Sequence, residues 1–175
     1  MTRSLALSTL ALVCALGVSP SASAQAMKEG TTNGTYYGHG TMKATPVGKE
    51  RLLITFEDSG PTVGQNILDH VTTRCWGMGS FIKGMGKAHG YCVSIDPAGD
   101  QIVIDWSENE NHALDAKELV GSFTYTSGTG KYEGITGSGT YVDTGPNTYR
   151  PLAEGTYEVV ATIKGSYKLP SQATD

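Results

Sequence analysis

The chain has 175 residues with 23 Gly, 7 Pro and 9 Tyr, and only 17% of its residues are charged, a composition rich in turn-formers and poor in the salt-bridging residues of helical bundles. A formal net charge of −4 with 38% apolar residues excludes a basic nucleic-acid binder and a disordered acidic tail alike, and the length suits one domain with its own core.

At the N-terminus, Arg3, an apolar run from Leu5 to Val18 and the small-residue sequence Ala22-Ser23-Ala24 have the layout of a secretory signal peptide. Cleavage after Ala24 is expected, giving a secreted or periplasmic protein that starts at Gln25. Val13 before Cys14 is a poor lipoprotein box. No later stretch approaches the roughly 20 consecutive apolar residues of a membrane helix, so no membrane span is expected. The mature chain divides into a flexible N-terminus (25–33), a β-barrel domain (34–168) and a flexible C-terminus (169–175).

Removing residues 1–24 discards Cys14 and leaves Cys75 and Cys92, a pair expected to form a disulfide in an oxidising compartment. A reactive thiol beside Arg74 is the alternative. His39, His70, His89 and His112 are too scattered to complete a zinc site with two cysteines, so no metal and no cofactor is expected.

Eight runs of β-branched and aromatic residues follow one another: Gly34 to Thr45, Lys49 to Glu57, Leu68 to Phe81, Lys87 to Asp96, Gln101 to Ser107, Leu119 to Thr126, Thr136 to Asp143 and Gly155 to Lys168. Turn chemistry separates them, as at Asp58-Ser59-Gly60-Pro61, Asp96-Pro97-Ala98-Gly99-Asp100 and Asp143-Thr144-Gly145-Pro146-Asn147. Only Asn111 to Glu118 suits a turn or two of helix. Evenly spaced strands without helices predict an all-β, antiparallel, eight-stranded barrel, because an open sheet would leave edges exposed.

The cysteines set a register. Cys75 opposite Cys92 brings Ile82 opposite Met85 and makes Lys83-Gly84 a two-residue turn. Strand alternation then puts Thr73, Cys75, Gly77, Gly90, Cys92 and Ser94 on one face. The other face carries His70, Arg74, Trp76 and Met78 against His89 and Tyr91. Folding the next run back over Asp96 to Asp100 sets Ile104 against Val93 and Trp106 against Tyr91, which predicts a row of Trp76, Tyr91 and Trp106.

That row has a bland reading as barrel core and a functional reading as a ligand pocket. In the second, His70, Arg74, Trp76, Met78, His89, Tyr91 and Trp106 bind a small apolar or aromatic molecule. If the protein is an enzyme, Arg74, His89 and Tyr91 are the candidate catalytic groups of a cofactor-free isomerase, cyclase or lyase, with His89 moving a proton and Arg74 stabilising an oxyanion. A third reading puts the row outside, as the interface of a dimeric or trimeric scaffold.

Other features carry less. The glycine-rich segment from Ser127 to Tyr141 fails as a phosphate loop, since Tyr125 stands where a glycine is required and Tyr132 follows Lys131. It reads as a turn between strands. Glu108-Asn109-Glu110-Asn111-His112 reads as a solvated loop, and Glu57, Asp58 and Asp105 as exposed or turn-capping.

The segment Gly128 to Tyr141, with Gly90-Tyr91-Cys92 and the Asp96 to Asp100 turn, resembles the allene oxide cyclase and dirigent superfamily and its small secreted bacterial members. The resemblance implies a calycin-like, eight-stranded antiparallel barrel with an aromatic-lined cavity, trimeric in many plant members. It also implies relatives that steer cyclisation or radical coupling without a cofactor; their catalytic residues do not map onto this sequence.

Overall fold

The computed structural model describes residues 27–144 and 155–171. The segment 1–24, with its expected cleavage site, and residues 172–175 lie outside them. The strands are β1 (Met27–Val47), β2 (Arg51–Gly64), β3 (Val71–Ile82), β4 (Met85–Ile95), β5 (Gln101–Glu108), β6 (His112–Ala113), β7 (Glu118–Gly128), β8 (Thr136–Thr144) and β9 (Thr156–Pro170). Eight of them close into a ring in which every neighbouring pair is antiparallel: β1 joins β2 and β9, β3 joins β4, β5 joins β7, and β7 leads through β8 to β9. The two-residue β6 only extends the β4 edge at Met85 and Gly86. The predicted eight-stranded antiparallel barrel is the fold.

Several boundaries differ from the sequence reading. Residues 27–33 are strand, paired with Lys164–Pro170, so the barrel begins at Met27 and not at Gly34. β2 runs through Gly60-Pro61 instead of turning there. Pro61 has no N–H to donate, and the β1–β2 ladder is interrupted at this point, between the pairs Tyr36–Thr62 and His39–Ser59. Residues 111–118 hold β6 and turns, and no helix. The short 3₁₀ turns lie at Asn66–Leu68 and Gly130–Tyr132.

The β3–β4 hairpin matches the expected register residue for residue, from Cys75–Cys92 to Ile82–Met85. Lys83 and Gly84 form its turn with φ of 54° and 80°, the double positive φ of a two-residue hairpin loop. The Cys75–Cys92 disulfide is present.

The next hairpin slips by one residue. Ile95 pairs with Gln101, which puts Ile104 opposite Cys92 and Trp106 opposite Gly90. The cause is Asp96, whose carboxylate accepts the amides of Ala98 (2.8 Å) and Asp100 (3.0 Å) and so belongs to a five-residue loop, with Gly99 at φ 91°. Lys131 clamps the same carboxylate at 2.5 Å; its hydrogen bond, with those two amides, holds Asp96 below the usual carboxylate range. A one-residue slip moves a side chain to the opposite face. Trp106 therefore turns inward, away from Trp76 and Tyr91.

The small-residue face of the β3–β4 hairpin is the inner one, because large rings from neighbouring strands lie across it. A methyl group on Gly77 would come within 2.7 Å of the Trp106 ring, and one on Gly90 within 2.9 Å. These glycines make the slot that receives the indole. Ile54, Phe81 and Ala88 pack one part of the interior, and Ile102, Phe123 and Ile135 another. Burying each large apolar side chain contributes roughly 1.5–3 kcal/mol.

Candidate functional site

The expected site is split between the two sides of the wall. His70, Arg74, Trp76, Met78, His89 and Tyr91 are all exposed, and none lines the interior cavity. Tyr91 is 57% exposed, Met78 53% and Trp76 38%. Arg74 donates through Nε to Glu57 at 2.8 Å and lays its guanidinium 4.9 Å from the centre of the Trp76 ring. His70 pairs with Asp69 at 2.6 Å. Trp106 alone of the predicted ligand-binding set reaches the interior, together with the Cys75–Cys92 disulfide. The row of Trp76, Tyr91 and Trp106 does not form, for the reason given by the Asp96 turn.

The interior holds a cavity of about 110 Å³. That is of the order of the ~150 Å³ apolar cavity able to take a benzene ring in an engineered core. Its wall is aromatic: Trp106 meets Phe56 at 5.8 Å and Tyr141 at 6.1 Å between ring centres, and Phe56 meets Tyr157 at 5.9 Å. A strip of hydroxyls crosses one side, Thr62 to Thr73 and Thr73 to Ser94, each 2.8 Å apart.

Acidic groups stand in this apolar lumen. Phe56 and Asp58 share the inward parity of β2, so the expectation of an exposed or turn-capping Asp58 is corrected: it is 4% exposed. Tyr36 and Tyr157 donate their phenol protons to its two oxygens. Burial raises the Asp58 pKa, the two phenols oppose that shift, and the charge of Glu57 adds to it. Burial and the Asp58 charge raise both phenols in turn, so they stay protonated.

Asp143 follows Tyr141 on the inward parity of β8. It is deeply surrounded by protein yet keeps some accessible surface and lines the cavity, so that surface faces the lumen. Burial first, then the charges of Glu108 and Asp58, push its pKa up to about 8. At neutral pH it is mostly a proton donor. Glu108 is also buried, at 2% exposed, and not part of a solvated loop. It accepts the Ala88 amide at 2.5 Å and pairs with His112 at 2.7 Å.

Asp143, Tyr36, Tyr141 and Tyr157 carry no functional expectation in the sequence analysis, and Asp58 only that of an exposed or turn-capping residue. Parity could have found them, since each alternates with glycine or aromatic residues on a face that the Cys75–Cys92 hairpin marks as inner. Among the described residues, no group of three or more His, Cys, Asp or Glu could hold a metal ion.

Fold and lumen together define a class: a small closed antiparallel β-barrel whose apolar interior carries buried acids and phenols. No family model matches the chain, and no curated protein does. Among solved structures it is similar to a pterocarpan synthase dirigent protein, at 14% identity and a TM-score of 0.49, over 86% of this chain and 91% of that one.

Proposed function

We propose that the barrel binds a small apolar or aromatic molecule in its lumen, as an exported protein of an oxidising compartment. The observation that carries this is the aromatic cavity with carboxyls and phenols set in its wall. A filled structural core satisfies its polar groups or omits them, whereas a few placed polar groups in an apolar concavity are the composition of a binding site. The disulfide suits export, since such bonds persist outside the reducing cytosol.

The test uses Trp106 as reporter. In a Trp76→Phe background, saturation with toluene or phenol should change the Trp106 emission and raise the melting temperature. No change in either, with the fold intact, overturns the reading.

A second reading, cofactor-free isomerase, cyclase or lyase chemistry, is supported by Asp143. A carboxylic acid with a pKa near 8, sharing a lumen with Asp58 and its two phenols, provides a proton donor in an apolar cavity without any cofactor. For any substrate found to turn over, Asp143→Asn should abolish turnover and keep binding; unchanged turnover refutes the role. The exposed Trp76, Met78 and Tyr91 support a homo-oligomer joined through the outer face of β3 and β4. Light scattering on Trp76→Ser tests that reading, with dissociation expected if it holds.

A further inference from the structure

We infer that the lumen selects a neutral ligand bearing a carbonyl-type oxygen, seated against Trp106 Nε1 and Tyr141 Oη. This rests on the lumen-binding reading above and names the chemical class of its ligand.

Among the described residues, these are the two buried side-chain polar atoms without a hydrogen-bond partner. They belong to one place. Both side chains line the same cavity, and their rings meet edge to face at 86° with centres 6.1 Å apart. An indole N–H can only donate. Burial, followed by the charges of Asp143 and Glu108, holds the Tyr141 phenol protonated, so it too has a proton to give.

Two buried donors with nothing to receive them cost the folded protein the desolvation of each. One oxygen acceptor with two lone pairs can take both, and a ketone, aldehyde or ester carbonyl supplies it without a further donor to satisfy. Charge narrows the class. The charges of Glu108 and Asp58 already raise the Asp143 carboxyl, so a carboxylate in the same lumen would meet like charge. An ammonium would bring donors to a pair of donors. A neutral carbonyl on an apolar body fits the remaining chemistry, with the aromatic wall taking the body.

The test compares acetophenone with α-methylstyrene, which has nearly the same shape but a methylene in place of the oxygen. Calorimetric titration of the mature chain, Trp106→Phe and Tyr141→Phe gives the acetophenone to α-methylstyrene affinity ratio for each. The ratio is the readout because transfer of each probe out of water is the same for all three proteins. The expected result is a roughly tenfold fall in that ratio in each variant, the worth of one buried hydrogen bond. If both probes bind and the ratio does not move in either variant, lumen binding stands and the carbonyl assignment is overturned. If neither probe binds the native chain, the lumen-binding reading fails and takes this inference with it. Benzoate binding more tightly than acetophenone would overturn the neutrality. Should Trp106→Phe not fold, Tyr141→Phe, which removes one oxygen from an otherwise unchanged ring, carries the test alone.

Discussion

The sharpest physical consequence of this lumen is a pH dependence of folding stability that belongs to Asp143. Its carboxyl titrates near 3.8 when exposed and near 8 in the fold, so between those values the folded protein keeps a proton that the unfolded chain has released. A group whose folded pKa is raised supports stability below its unfolded pKa and loses that contribution as pH rises through its folded pKa. Stability should therefore fall from about pH 4 to about pH 8, at up to about 1.4 kcal/mol per pH unit. Across the window this amounts to an upper figure on the order of 5 kcal/mol, since the lumen leaves Asp143 some accessible surface. Asn is neutral in both states and carries no such slope. Urea midpoints for the native chain and Asp143→Asn at pH 5, 6, 7 and 8 check this. The two should be closest at pH 5, and Asp143→Asn should gain on the native chain by roughly 2–4 kcal/mol by pH 8. The Asp58 carboxyl, also raised, contributes in the same direction to both proteins. Parallel pH profiles would refute the burial of a protonated Asp143.

Three further outcomes are expected. Gly90→Ala forces a methyl against the Trp76 carbonyl oxygen first, then the Gly77 backbone and the Trp106 ring, and should lower stability by roughly 1–3 kcal/mol in thermal melts; a change under about 0.5 kcal/mol would contradict the close approach of β3 and the indole to Gly90. Reducing the Cys75–Cys92 bond, which spans 17 residues, should lower stability by about 3 kcal/mol, read from urea midpoints with and without reductant; identical midpoints would contradict it. Trp76→Ser, on the outer face, should leave lumen affinity for toluene unchanged, and a loss comparable to that in Trp106→Phe would contradict the placement of these two indoles on opposite sides of the wall.

Much of the barrel is legible in the chain because strand punctuation is local chemistry. Lys83-Gly84 sits where a two-residue turn needs positive φ, and the glycines at 130 and 134 take positive φ in the segment that joins β7 to β8. The cysteines then fix the β3–β4 register, since residues that bridge must face each other. The site was less legible. Asp58 opens a stretch that looks like a turn in sequence, and only pairing with β3 draws Gly60-Pro61 into β2.

By itself, the sequence determined an all-β barrel, its strands in order, and one hairpin with its disulfide. Tertiary structure decided which face of that hairpin is inside. Bulk alone points to the face of Trp76 and Tyr91, but a narrow closed barrel has room for large rings only where facing strands present glycine, so Gly77 and Gly90 mark the interior. It also decided Trp106, because Asp96 left the ladder to cap its own turn and shifted β5 by one residue. Side-chain direction alternates with every residue, so that single step carried the indole into the lumen, to Tyr141 and near the buried acids, and left the predicted aromatic row on the outside without it.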